Sequence, residues 1–178
     1  MPTQAPLVVM GVAGCGKSTI ARLVAQAAGR VLLEGDDFHP PENIRKMSAG
    51  VALSDEDRSG WLDGIARELH AQRAAVVVSC SALKRAYRDR LRAAAPGLRF
   101  VYLAITPEVA RERVLARAAT HFFPPSAVAG QFAALEDPSG EPGVLRVDGS
   151  LPPAQLVAQA LAFGGAHPLE PAASKESP

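Results

Sequence analysis

Gly11-Val12-Ala13-Gly14-Cys15-Gly16-Lys17-Ser18-Thr19 carries the spacing G-x-x-x-x-G-K-[ST]. Glycines at these positions admit backbone angles closed to other residues, so successive N–H groups can turn inward as a nest for phosphate oxygens. A helix starting near Gly16 adds its positive dipole end. In such a cradle Lys17 bridges the β- and γ-phosphates of a nucleotide, and the Ser18 hydroxyl ligates a metal ion. ATP and Mg2+ are therefore the expected cofactors, with residues 11–19 as the nucleotide site. A glycine-rich turn that binds nothing is the alternative. The context weighs against it, because the apolar run Leu7 to Met10 precedes the loop and a helical pattern follows. Cys15, inside the loop, is read as a small tolerated side chain rather than a redox switch.

A phosphate cradle does not name the acceptor. Asp36 and Asp37 follow a second apolar run, at the strand end where α/β proteins bind ligands. One of them, with Asp36 preferred, is expected to accept an acceptor hydroxyl proton or to order the Mg2+ shell. Solvated loop acids are the competing reading. His39 lies beside them in the same loop. Arg58 follows the acids Asp55, Glu56 and Asp57, and offers either a helix ion pair or a fork for a substrate carboxylate. Lys84 and Arg88 are spaced i,i+4 in a basic segment, so a shared helix face holds an anionic substrate or simply faces water. Arg113 and Arg117 have the same spacing before a break in the pattern at Thr120 to Pro125. They are candidates to stack on adenine and to clamp phosphates.

Other classes are argued against. Nineteen basic residues against 18 acidic ones leave a net charge of +1, without the basic excess of a nucleic-acid binder. The guanine-reading N-K-x-D motif of GTPases is absent. The third apolar run ends in Ser79-Cys80-Ser81, where large ATPases place a carboxylate. The two cysteines, Cys15 and Cys80, have neither metal-ligand spacing nor a disulfide framework, which points to a reducing compartment. Leu7 to Val12 is too short to cross a bilayer, and no basic signal region precedes it. A cytoplasmic protein with no membrane partner is expected.

These residues need a scaffold, and the hydrophobic pattern supplies one. Strands are expected at Leu7–Met10, Val31–Leu33, Val76–Cys80, Phe100–Ile105 and Val144–Asp148. Helices are expected over 18–28, 42–48, 54–73, 82–94, 107–118, 126–135 and 153–163, several of them opening on proline or on acids in the first turn. Strand and helix alternate, which predicts an α/β domain with a five-stranded parallel sheet covered on both faces. Residues 1–163 form the expected single domain, with a lid over about 118–130. Residues 164–178 lack periodicity and are expected to be a disordered tail.

Taken together, the segments resemble the gluconate kinase family of P-loop kinases. The resemblance rests on the P-loop, on Glu34-Gly35-Asp36-Asp37-Phe38-His39-Pro40, and on Asn43-Ile44-Arg45-Lys46-Met47 with Gly50. It continues through Leu53-Ser54-Asp55-Glu56-Asp57-Arg58 with Trp61-Leu62, and through Cys80-Ser81-Ala82-Leu83-Lys84 with Tyr87-Arg88. It closes on His121-Phe122-Phe123 with Gln131-Phe132. The P-loop is generic, whereas the G-D-D-F-H-P, D-R-x-x-W-L and C-S-A-L-K blocks are specific. The resemblance implies ATP-dependent phosphorylation of D-gluconate at its terminal hydroxyl, a fold similar to nucleoside monophosphate kinases and shikimate kinase, a lid, and a homodimer. It places Asp36 near the acceptor hydroxyl, Arg58 on an acceptor carboxylate, and Thr120 to Pro125 in the lid. With the residue reading, the candidate catalytic set is Lys17, Asp36 and Arg117, and the candidate acceptor set is Asp36, His39, Arg58, Lys84, Arg88 and His121. Two departures stand out: Cys15 replaces a frequent serine, and Ala118-Ala119-Thr120 is uncharged where relatives can be more basic. The rival readings are a kinase for another acceptor, such as shikimate or a nucleoside monophosphate, and a nucleotide-binding regulator without turnover.

Overall fold

The computed structural model describes residues 5–72, 76–117 and 123–165. Strand β1 (Leu7–Met10) is followed by α1 (Lys17–Ala28) and β2 (Val31–Glu34). A 3₁₀ turn (Gly35–Phe38) then leads to α2 (Pro41–Ser48), α3 (Asp55–Gln72) and β3 (Val76–Ser79). Next come α4 (Arg85–Ala94), β4 (Arg99–Ala104) and α5 (Pro107–Ala116). A second 3₁₀ turn (Pro125–Ala127), α6 (Val128–Ala134), β5 (Val144–Asp148) and α7 (Pro153–Gly164) complete the order. The five strands pair in parallel, in the order β2-β3-β1-β4-β5, as expected for the predicted class.

Alternation along the central strand explains why the sheet is covered on both sides. Leu7 and Val9 turn to one face, where they pack with Ile20 and Val24 of α1, Val114 of α5 and Leu156 of α7. Val8 and Met10 turn to the other, against Trp61, Ile65 and Leu69 of α3 and Leu91 of α4. All four residues of β1 are fully buried, so each side chain stabilises by roughly 1.5–3 kcal/mol through burial alone. This rigid central strand launches the P-loop. Helix α1 stops cleanly because Gly29 takes a left-handed φ of 62° and the Arg30 N–H caps the Ala25 carbonyl at 2.9 Å.

Three expectations need adjustment. Helix α4 begins at Arg85 rather than at Ala82, because Ala82 sits at φ 43°, outside the helical region. The segment after the Thr120 to Pro125 break is a 3₁₀ turn and then α6, not one helix from Ser126. The loop carrying Asp36 and Asp37 is itself a 3₁₀ turn. Residues 118–122 of the expected lid and 166–178 of the expected tail lie outside the described residues.

Candidate active site

The P-loop joins the end of β1 to α1. Gly14, at φ 82°, lies so close to α5 that a Cβ there would sit 2.8 Å from the Ala110 carbonyl oxygen. Gly16 caps α1 at φ 92° with open space beside it, so backbone angle rather than crowding demands glycine. Val12, Ala13 and Cys15 are buried, while Ser18 and Thr19 at the helix start are exposed. Burial pushes the Cys15 thiol up, and pushes Cys80 up to about 12, so both stay protonated. That agrees with Cys15 as a packing residue.

The sheet register builds an oxygen cluster beside the loop. Ser79, the last residue of β3, is level with Val9 of β1 on one side and Glu34 of β2 on the other. The Ser18 hydroxyl consequently donates to Glu34 Oε2 at 3.0 Å and lies 3.1 Å from Ser79 Oγ. These are hard oxygen donors next to a phosphate cradle, a set that suits Mg2+. The sequence puts the expected Mg2+-ordering carboxylate at Asp36, and Glu34 joins it only through the strand register. The only signal for it is its place immediately before Gly35-Asp36.

One cleft brings the two halves of the predicted site together. It is lined by Ala13 and Lys17 from the P-loop side, by Asp36, His39 and Arg58 from the acceptor side, and by Arg117 beyond α5. The 3₁₀ turn decides between the two acids, since Asp36 lines the cleft and Asp37 is exposed. The turn is docked by Trp61, whose Nε1–H donates to the Gly35 carbonyl at 2.7 Å.

His39 stacks on Trp61, with ring centroids 4.5 Å apart and planes 9° from parallel. The Asn43 side-chain amide reaches His39 Nδ1 at 3.4 Å and donates to the Asp57 carbonyl at 2.7 Å. An amide nitrogen can only donate, so Nδ1 is the acceptor and Nε2 carries the proton. Burial lowers the His39 pKa to about 4 from its ordinary 6.5, outweighing the opposite pull of Asp36. The ring is thus a neutral hydrogen-bond donor at physiological pH. Because the unfolded chain takes up the proton first, stability falls as pH drops from about 6.5 to about 4 and then levels off. Between pH 7 and pH 4.5 the wild type is expected to lose about 2 kcal/mol more than His39→Gln in urea denaturation. Equal losses would assign His39 an ordinary titration.

Arg58 donates to the Leu53 carbonyl at 2.5 Å and to the Tyr87 hydroxyl at 3.5 Å, with its guanidinium 5.7 Å from the Tyr87 ring centroid. It makes no ion pair among the described residues, which argues against the helix-pair alternative. Lys84 precedes α4 and lines an adjoining cavity with Arg58, Met47 and Gln131, its Nζ held 2.7 Å from Asp55. The Asp55 hydrogen bond raises the Lys84 pKa further, keeping it cationic.

Two predicted residues do other work. Arg88 does not line the cleft or the adjoining cavity: it is fully buried and pairs with Glu141. It also donates to the carbonyls of Ala82 and Leu83 at 2.8 and 2.9 Å. The expected Lys84–Arg88 face fails because Lys84 lies before the first helical residue. Arg113 reaches the P-loop, but its Nη1 donates to the carbonyls of Gly14 and Gly149 at 3.4 and 3.2 Å, so it braces the loop's backbone. His121 lies outside the described residues.

A glycine-rich cradle between a buried parallel strand and a helix, with an acid and a guanidinium facing it, defines a P-loop phosphotransferase, and a family model described as an AAA domain matches residues 7–138. Gluconokinase of Gluconobacter oxydans (strain 621H) is 42% identical over 151 residues, covering 83% of this chain and 84% of that protein. Thermoresistant gluconokinase of Escherichia coli (strain K12) is 40% identical over 158 residues, covering 86% and 90%. The crystal structure of a gluconokinase from Sinorhizobium meliloti 1021 superposes with a TM-score of 0.83 at 48% identity, covering 93% of this chain and 94% of that one. The chain belongs to the gluconokinase family.

Proposed function

We propose that the protein is an ATP-dependent gluconokinase, converting D-gluconate and ATP to 6-phospho-D-gluconate and ADP. The observation that carries this is the shared cleft, in which Lys17 of the cradle faces Asp36, His39 and Arg58. The P-loop N–H groups hold the β-phosphate, while Lys17 and Arg117 hold the γ-phosphoryl group from two sides. Asp36 accepts a hydrogen bond from the terminal hydroxyl of the acceptor and aims its oxygen at phosphorus. The new O–P bond forms as the bond to the β-phosphate oxygen breaks, and the hydroxyl proton leaves by way of Asp36. Neutral His39 donates to an acceptor oxygen. Arg58 and Lys84 face the far carboxylate, the group that distinguishes a sugar acid from a neutral sugar. Mg2+, when bound, neutralises charge between the phosphates, and Ser18, with Glu34 and Ser79 nearby, would hold it.

The homodimer and the cytoplasmic location belong to the same proposal. Family resemblance supports the first, and two cysteines that form no disulfide support the second. No helix among the described residues is long and apolar enough to cross a membrane.

Coupled ADP release with Mg·ATP across D-gluconate, shikimate, neutral sugars and nucleoside monophosphates tests the reaction. Turnover with D-gluconate and little with the others is the expected result. Arg58→Ala is expected to raise the KM for gluconate by about 10- to 100-fold, the loss of a charge-assisted hydrogen bond, with the KM for ATP unchanged. An unaltered gluconate KM would take Arg58 out of the site.

A further inference from the structure

Gln131, on α6, is far from the P-loop in sequence and against it in space. Its side-chain Oε1 accepts the Ala13 N–H at 2.7 Å, across 118 residues of chain. Ala13 belongs to the loop whose N–H groups form the phosphate cradle, and it lines the cleft that also holds Asp36 and Arg58. This end of the loop therefore faces the acceptor. The phosphoryl group nearest an acceptor is the one transferred. Gln131 borders that cleft and also the adjoining cavity that holds Arg58 and Lys84. It stands at the junction of the phosphate and acceptor halves.

An amide is planar and two-sided. With Oε1 anchored on a backbone N–H, the orientation of the group is set, and Nε2 keeps two N–H donors. Nε2 makes no hydrogen bond to any described residue. Building on the kinase reading above, we propose that Gln131 is a further positioning residue, anchored to the P-loop through Oε1 and donating through Nε2 to the terminal phosphoryl group of ATP. Such a contact tells a nucleoside triphosphate from a diphosphate. It also helps to hold the transferring group in line with the acceptor hydroxyl.

Gln131→Glu separates this role from a packing role. A carboxylate still accepts the Ala13 N–H, and does so more strongly, so the nucleotide-free protein keeps its melting temperature or gains. The same change replaces two donors with negative charge opposite the terminal phosphate. Measured without acceptor, the Kd for Mg·ATP is expected to rise by about 10- to 100-fold, as for loss of a hydrogen bond to a charged group, while the Kd for Mg·ADP moves by less than about threefold. Gln131→Leu, close in volume, is expected to lower kcat by about tenfold or more with ADP binding retained. Equal weakening of both nucleotides, or no change in either, would overturn the assignment. Because the Kd comparison uses no acceptor, it is independent of gluconate. A wild-type protein that binds no ATP would overturn the cradle reading and this one together, whereas ATP binding with no gluconate turnover would sink only the acceptor.

Discussion

Lys17→Ala is expected to lower kcat/KM by about 10² or more, the usual cost of removing one donor aimed at developing charge. Lys17 opens α1 at the mouth of the cleft, opposite Asp36 and Arg58. The backbone N–H groups of the loop survive the substitution, so nucleotide binding should persist at lower affinity while transfer suffers most. The fold should persist too, because α1 stays packed through Ile20, Ala21, Val24, Ala25 and Ala28, and Lys17 is not itself among its buried residues. Steady-state kinetics with circular dichroism as the folding control makes the check. Near-normal turnover would remove Lys17 from the phosphate site.

The second large effect lies outside the cleft. Glu141→Gln should destabilise the protein by about 3 kcal/mol or more, since it leaves the Arg88 guanidinium buried without its counter-charge. Arg88 Nε donates to Glu141 Oε2 at 3.1 Å and its Nη2 reaches Glu141 Oε1 at 2.5 Å, while Arg92 holds the same carboxylate at 2.7 Å. Hydrogen bonds from Arg88, and then Arg92, hold the Glu141 carboxyl down to about 2 from its ordinary 4.5. A depressed carboxyl pKa contributes stability that is present above pH 4.5 and lost as pH falls toward 2. That shift corresponds to about 3 kcal/mol, which agrees with the cost of breaking a buried pair. Urea denaturation at pH 7 and pH 3 should therefore show wild type and Glu141→Gln converging at the lower pH. An equal gap at both would refute the linkage. The gluconate KM should not follow this loss, which separates the pair from the acceptor site.

The contrast between Lys17 and Arg88 shows what could be read from the amino-acid sequence. The P-loop is a local object: every residue that shapes it lies between Gly11 and Thr19, and the flanking strand and helix are visible as apolar patterns. The five strands were legible for the same reason. Arg88 was misread because its fate depends on where α4 begins. The left-handed Ala82 delays the helix until Arg85 and turns Arg88 inward. Asp36 and Asp37 are equivalent as letters, and only the 3₁₀ turn puts one in the cleft. Glu34 needed the strand order, because nothing in sequence says that β2 lies beside β3 with Glu34 level with Ser79. The Gln131 contact is more distant still, since it joins α6 to the first loop of the fold.

The placement of the acceptor groups has a consequence for how such a protein can diverge. The 3₁₀ turn, α2 and α3 are one continuous stretch between β2 and β3, and they supply Asp36, His39 and Arg58. The phosphate cradle hangs from the central strand β1, buried on both sides. Substitutions in the first segment can reshape the recognised molecule while the catalytic cradle keeps its support. New preferences among small hydroxy acids can therefore arise by drift within that one stretch, provided Asp36 is kept, with the phosphate cradle inherited unchanged.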